Sequence, residues 1–239
     1  MTPAVFLDKD GTLVHNVPWN VDPRKIRLAP YAAIALRRLA AAGFKLVLVT
    51  NQPGLAQGRF IERELFRSLD RLRRLLADES LRLDGIYFCP HDPAGRLPWL
   101  ARPCACRKPA AGMLHAAAAA LHIDLARSWM IGDILDDVEA GNRAGCRTVL
   151  LDVGNETEWM RGPYRRPDRV CRNLARAADL VLSAQAERRC FAMRKVPASA
   201  SSIESTSASR PTAASGAAPR QIAPNTFSTT NNVAKRGRP

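Results

Sequence analysis

The sequence predicts an α/β protein built on a doubly wound, mostly parallel sheet. Short apolar runs alternate with amphipathic helical patterns from end to end, the signature of βαβ units. Phe44-Lys45-Leu46-Val47-Leu48-Val49-Thr50 is nearly continuous and rich in β-branched residues, as in a strand buried on both faces. Polar clusters follow several of the apolar runs, at the carboxyl ends of strands where open α/β sheets bind ligands.

Taken in order, Val5–Leu7 reads as the first strand. Pro30–Ala42 reads as a helix, with Pro near its start, Ile34, Leu36, Leu39 and Ala40 on one face, and Gly43 ending it. After the Phe44–Thr50 strand comes an amphipathic helix at Ile61–Ala77, a strand at Gly85–Phe88, and a helix through Ala110–Leu121. A strand at Ser128–Ile131, a helix at Leu135–Ala144 and a strand at Thr148–Leu151 follow. A final helix at Leu174–Ala178 and strand at Asp179–Leu182 complete the pattern, which contains no internal repeat. The irregular segment His15–Leu28 is too long for an ordinary βα connection, so it is a candidate functional loop. No insertion is long enough for a separate cap domain, which leaves only loops to cover a site.

The 239 residues fill one well-buried domain, assigned to residues 1–184, with a remainder at 185–239. That remainder is rich in Ser, Ala, Thr and Pro and ends in Lys235-Arg236-Gly237-Arg238-Pro239. It cannot bury enough apolar surface to offset its ordering entropy and is expected to be disordered. It carries nine Lys/Arg and two Asp/Glu, half of the chain's net charge of +14. The rest includes arginines on helix faces, so the charge suits an anionic substrate better than a nucleic acid. No run approaches the ~18 apolar residues of a membrane span. Asp8, Lys9 and Asp10 interrupt any leader-like segment. These features predict a cytoplasmic protein, in which six cysteines serve as metal ligands or buried thiols rather than disulfides.

Asp8 and Asp10 close the first strand. Residues i and i+2 of a strand share a side, so both carboxylates are aimed together at the sheet's carboxyl end. Such a pair can bind Mg²⁺, or divide the roles of nucleophile and proton donor. Thr50-Asn51-Gln52 ends the second core strand, where a hydroxyl and backbone N–H groups can hold phosphate oxygens. Arg107-Lys108-Pro109 stands just before a helix, a placement that favours an anion beside the cations. Gly132-Asp133 ends a later strand and can add a third carboxylate to a metal held by Asp8 and Asp10. Each cluster alone reads equally as a turn or a helix cap. Four of them in this order, each at a strand end, point to one phosphate-handling site.

A second constellation is Cys89-Pro90-His91 followed by Cys104-Ala105-Cys106, with twelve residues between His91 and Cys104. Cys89, His91, Cys104 and Cys106 can close a tetrahedral Cys₃His zinc site with no open position, hence a structural one. It would pin the loop Asp92–Pro103 and anchor Arg107 and Lys108 beyond it. Cys146, Cys171 and Cys190 have no partners at ligand spacing.

Asp8-Lys9-Asp10-Gly11-Thr12, Thr50-Asn51, Lys108 and Gly132-Asp133-(x)3-Asp137 together resemble the haloacid dehalogenase superfamily of phosphotransferases. The resemblance implies a Rossmann-like fold, with Asp8 as nucleophile and Asp10 as general acid and base. It implies that Thr50 and Lys108 hold the phosphoryl oxygens, and that Mg²⁺ is held by Asp8, the Asp10 carbonyl and Asp133. Within the superfamily, Thr50–Gly58, Leu83–Tyr87 and the run from Cys89 to Leu114 resemble the D-glycero-D-manno-heptose-1,7-bisphosphate 7-phosphatases over residues 3–183. That family implies a capless monomer with structural zinc that acts in making a cell-surface glycan precursor. It also implies substrate contacts from Asn51, Gln52, Pro53 and Arg107, with the loop near Asn16–Trp19 reaching the sugar. Pro53 lacks a backbone N–H and can offer less there. Histidinol-phosphate phosphatases share the aspartates and a zinc loop, and a phosphatase of nucleic-acid 3′ ends or a nucleic-acid-binding protein working through the basic tail are further readings. A cation at Arg107 suits a bisphosphate better than a cationic amine.

Overall fold

The computed structural model describes residues 1–194 and the segment 220–222. The elements run β1 (Ala4–Leu7), α1 (Ala32–Ala41), β2 (Lys45–Asn51), α2 (Glu62–Asp78), β3 (Gly85–Cys89), α3 (Gly112–Leu121), β4 (Trp129–Gly132), α4 (Leu135–Arg143), β5 (Arg147–Leu151), β6 (Arg169–Cys171), α5 (Leu174–Arg194) and β7 (Arg220–Ile222). They form one sheet of order β6-β5-β4-β1-β2-β3-β7. The first six strands are parallel, and β7 pairs antiparallel with the β3 edge. The chain winds outward from β1 through β2 and β3, then returns to the other side of β1 to build β4, β5 and β6. The order therefore reverses between β1 and β4, the crevice where ligands collect in such sheets.

Alternation along the strands divides the core into two layers. Val5 and Leu7 of β1, Leu46 and Leu48 of β2, and Ile86 and Phe88 of β3 pack with α1, α2 and α5 on one face. Ala4, Phe6, Val47, Val49, Tyr87 and Cys89 pack with α3 and α4 on the other. Burial of the central strands on both faces explains why they read as continuous apolar runs. No inserted domain stands over the carboxyl edge among the described residues, as predicted.

Two expectations are corrected. Asp179–Leu182 is not a strand but the middle of α5, where Leu174, Ala177, Ala178, Val181 and Ala184 recur at helical spacing and are buried. The sixth parallel strand lies earlier, at Arg169–Cys171; only Cys171 of its three residues is buried, so it left no apolar run to read. The division at 184/185 falls inside α5, which continues to Arg194. The disorder expected of the tail concerns residues 195–219 and 223–239, which lie outside the described residues; residues 220–222 form β7. No helix among the described residues is long and apolar enough to cross a membrane.

Candidate active site

The carboxyl ends of β1, β2 and β4 deliver their polar clusters to one cavity of about 210 Å³, lined by Asp8, Asp10, Asn16, Thr50, Asn51, Lys108, Asp133, Ile134 and Asn155. Asp8 is fixed by its backbone, whose N–H donates to the Ile131 carbonyl (3.0 Å) at the β1–β4 junction. Lys108 enters from the β3–α3 connection. Its Nζ stands 2.5 Å from Asp8 Oδ1 and 2.6 Å from Asp137 Oδ1, and donates to the Val49 carbonyl (3.1 Å). Lys108 is thus neutralised by carboxylates within the sheet crevice. The expectation that it faces the positive end of α3 is corrected: that helix begins only at Gly112, and the Gly112 N–H is taken by the Ala105 carbonyl.

Asp133 accepts from Thr12 Oγ1 (3.0 Å) and from Asn155 Nδ2 (2.7 Å). Asn155 also accepts from Asn16 Nδ2 (3.2 Å), joining the β1 and β5 loops across the site. Glu156 accepts from the Leu135 N–H at the start of α4 (2.6 Å), so the segment after β5 braces both Asp133 and its helix. Gly11 holds φ +88 beneath Asp133, and a Cβ there would lie 2.1 Å from Asp133 Oδ2, which excludes a larger residue. Asp10 is ion-paired with the buried Lys9 (2.5 Å) and accepts weakly from Gln52 Nε2 (3.4 Å), which also donates to Thr50 Oγ1 (3.0 Å).

Electrostatics follow from this crowding. Burial, with Asp8 close by, pushes the Asp133 carboxyl up to about 6. Burial likewise raises Asp137 to about 7, against the pull of Lys108. Burial alone would lower Lys108, but Asp137 and Asp8 outweigh it and hold its pKa above the ordinary value. Burial also raises Asp10, opposed chiefly by Lys9. Among the described residues, the ammoniums of Lys9 and Lys108 are the cations ion-paired with Asp8, Asp10 and Asp137, and with Asp133 beside them the carboxylates are in surplus, which suits a divalent cation. One oxygen each from Asp8, Asp133 and Asp137 lies within 4.8 Å of the others, so the residues present fit a hard, oxygen-ligated cation. A divalent cation held through Asp133 would lose about tenfold in affinity per pH unit below pH about 6, as protons compete for that carboxyl. Calorimetric titration between pH 5 and 7.5 checks this; a pH-independent affinity would remove Asp133 from the metal shell.

The cysteine cluster assembles as well. Cys89 Sγ, Cys104 Sγ and Cys106 Sγ lie 3.2 to 3.5 Å apart, and His91 Nδ1 is 3.6 Å from Cys89 Sγ and 3.3 Å from Cys106 Sγ. No disulfide joins them. Four donors in one tetrahedral cluster, tied by Cys89 to the end of β3, fit a closed zinc site. His91 presents Nδ1 inward, while its Nε2 lies 3.2 Å from Arg102 Nη2. The loop beyond packs onto the segment after β2: the Arg96 and Leu97 N–H groups donate to the Ala56 carbonyl, and Gln57 Nε2 donates to Asp92 Oδ2 (2.7 Å).

The remaining predicted contacts are distributed differently. Pro53 and Arg107 do not line the Asp8 cavity; Arg107 Nη1 donates to the His91 carbonyl (3.2 Å). Both amide atoms of Asn51 engage the Lys108 backbone. In the entrance loop Asn16 lines the cavity, and Trp19, at φ +57, lies under Arg59 with 4.3 Å from guanidinium to ring centre. Three participants had been given no role: Thr12, Asn155 and Asp137. Asp137 stands in the quoted motif, whereas Asn155 lies in a segment without periodic signal.

Comparison with known proteins follows the same lines. A HAD-hydrolase-like family model matches residues 105–177. The D-glycero-beta-D-manno-heptose-1,7-bisphosphate 7-phosphatase of Escherichia coli (strain K12) is 42% identical over 169 residues, 66% of this chain and 87% of the relative. Its counterpart in Pasteurella multocida (strain Pm70) is 41% identical over 157 residues, 64% of this chain and 84% of that one. The fold superposes on the crystal structure of D,D-heptose 1.7-bisphosphate phosphatase from B. bronchiseptica, complexed with magnesium and phosphate, with TM-score 0.67 and 34% identity. That match covers 76% of this chain and 99% of the other. Carried by the crevice between β1 and β4, by the clustered cysteines and by these similarities, the conclusion is that the chain belongs to the D-glycero-beta-D-manno-heptose-1,7-bisphosphate 7-phosphatase family of HAD-like hydrolases.

Proposed function

We propose that this protein removes the 7-phosphate of D-glycero-D-manno-heptose 1,7-bisphosphate by way of an aspartyl-phosphate, as a step toward a nucleotide-activated heptose for cell-surface glycans. The observation that carries this reading is the convergence of Asp8, Asp133 and Lys108 Nζ at the β1–β4 crevice, in a chain whose relatives bear that name. Asp8 attacks phosphorus in line with the leaving sugar oxygen, and Asp10 supplies the proton that this oxygen takes as its bond breaks. Asp10 then accepts a proton from the water that opens the aspartyl-phosphate, which releases inorganic phosphate and restores Asp8. Thr50 and Lys108 hold the phosphoryl oxygens, and Lys108 offsets the charge that gathers there. Asp8, the Asp10 carbonyl and Asp133 would hold Mg²⁺, which supplies the positive charge that lets two anions meet. Gln52 steadies both Thr50 and Asp10. Arg107 and the Asn16–Trp19 loop are proposed to face the sugar and its distal phosphate. The protein is proposed to work as a cytoplasmic monomer.

The test is phosphate release over a panel: both C1 anomers of the heptose bisphosphate, histidinol phosphate and a 3′-phosphorylated oligonucleotide. Heptose bisphosphate should have the highest kcat/KM and lose only the 7-phosphate. Faster turnover of histidinol phosphate would overturn the substrate assignment while leaving the chemistry standing. Zinc is proposed to close the Cys89, His91, Cys104 and Cys106 cluster. Purified, reduced protein should contain about one zinc per chain, and Cys106→Ala should lose it and expose residues 92–103 to proteolysis. Protein lacking zinc and equally protected in that loop would count against a structural metal.

A further inference from the structure

Asn51 is placed where three things meet. As the last residue of β2 it pairs in register with the proposed zinc ligand Cys89, and the next residue, Gln52, donates its N–H to the Cys89 carbonyl (2.8 Å). Its side chain turns the other way, toward the β3–α3 connection. Asn51 Nδ2 donates to the Lys108 carbonyl (2.9 Å), and Asn51 Oδ1 accepts from the Lys108 N–H (3.0 Å). The side-chain amide thus mimics a paired strand and grips the Lys108 backbone at both its N–H and its C=O. Lys108 is two residues beyond Cys106, and its side chain is the buried cation between Asp8 and Asp137. Cys89, Cys106, Lys108 and Asn51 form a closed circuit, in which the Asn51 amide ties the end of β2 to the Lys108 backbone.

The geometry points to Asn51 as a positioning residue: it sets where Lys108 Nζ stands over Asp8 rather than holding the sugar. Lys108 Nζ is held in the buried crevice by Asp8, Asp137 and the Val49 carbonyl, so a shift of the Lys108 backbone strains those contacts or moves the ammonium out of them. Misplacing a charge-stabilising group by about 1 Å can lower turnover by about 10²-fold. With Nδ2 and Oδ1 each bonded to the Lys108 backbone, the amide plane is fixed, and one N–H and one lone pair remain beyond those bonds. The inference rests on the proposed role of Lys108 on the phosphoryl group, and it is independent of which sugar phosphate is bound.

A double-mutant cycle separates positioning from contact. Orthovanadate affinity, with Mg²⁺ saturating, is measured for the wild type, Asn51→Ala, Lys108→Met and the double variant. Asn51→Ala should weaken orthovanadate about tenfold when Lys108 is present and less than about twofold when it is Met. In turnover of p-nitrophenyl phosphate, Asn51→Ala should lower kcat by about 10- to 100-fold while KM stays within about threefold. An equal loss of orthovanadate affinity in both backgrounds, or a raised KM at unchanged kcat, would overturn the proposal and make Asn51 a direct contact. If Asn51→Ala does not fold, Asn51→Ser keeps a hydroxyl acceptor for the Lys108 N–H and is read in the same cycle. Because neither probe is a sugar phosphate, failure of the cycle is distinguishable from failure of the heptose assignment, which the substrate panel decides.

Discussion

Asp8→Asn is expected to abolish turnover, lowering kcat by at least about 10⁴-fold, because an amide oxygen cannot replace a carboxylate as the attacking group. The substitution keeps the shape of the side chain and leaves the β1 backbone bond to Ile131 in place. It removes one of the two carboxylates that flank Lys108 Nζ, so that ammonium keeps only Asp137 and the Val49 carbonyl of its three partners. The fold should survive, since Asp8 contributes no buried apolar contact. Circular dichroism and thermal unfolding check the fold, and steady-state phosphate release checks the chemistry. Acid-quenched protein from a brief turnover should carry covalent phosphate in the wild type and none in Asp8→Asn. Substantial turnover by a well-folded Asp8→Asn protein would eliminate the covalent route altogether.

Lys108→Met should cost both activity and stability, and the stability loss should depend on pH. Breaking a buried ion pair by removing one partner costs about 3–5 kcal/mol, because the other charge is left buried without compensation. Here Asp8 and Asp137 are left facing Asp133 in one buried crevice. Already in the wild type, burial raises Asp133 to about 6 and Asp137 to about 7, so between those values and the unfolded carboxyl range the folded chain binds more protons. Stability contributed there falls as pH rises. Without the ammonium both carboxyls rise further. The variant's Tm in Mg²⁺-free buffer should therefore lie furthest below wild type near pH 8 and approach it near pH 5.5. Added Mg²⁺ should restore part of the loss at pH 8. A Tm deficit equal at both pH values would show that Lys108 matters for packing rather than for charge.

Sequence patterns were legible where the physics is local. β2 announced itself through a nearly continuous apolar run rich in β-branched residues and buried on both faces, and α2 through a clean apolar stripe at Leu65, Leu69, Leu72 and Leu76. The cluster of Cys89, His91, Cys104 and Cys106 was readable because these residues sit in two short motifs, each needing only one turn to converge. The aspartates were readable because a strand end aims i and i+2 together. What escaped required long-range information. Whether Asp179–Leu182 is helix or strand depends on its docking against α1, since a short apolar run satisfies either period. α1 begins at Ala32 rather than Pro30 because Tyr31 takes a left-handed turn at φ 64 that no neighbouring residue signals. Asn155 reaches Asp133 from a loop without periodicity, and the grip of Lys108 by Asp137 crosses from one helix start to another connection. The resemblance named Asn51 and Lys108 separately, and that the one grips the backbone of the other is a long-range contact no local pattern carries.

The strand order has a consequence for how the molecule comes into being. β1 is the first strand made and the innermost in the sheet, flanked by β2 and by β4, whose register places Val5 beside Trp129. Half of its hydrogen-bonding groups must wait for a partner more than a hundred residues downstream. Such contacts close late, since loop-closure entropy is met before they contribute. An N-terminal fragment through β3 thus leaves Asp8 and Asp10 at an open edge in water, with no crowding of negative charge to resist. The costly burial of three carboxylates, Asp8, Asp133 and Asp137, is deferred until β4 docks, after Lys108 has been synthesised and the cysteine loop can close. The polypeptide assembles its most repulsive region last, when the cation that tolerates it is already in hand.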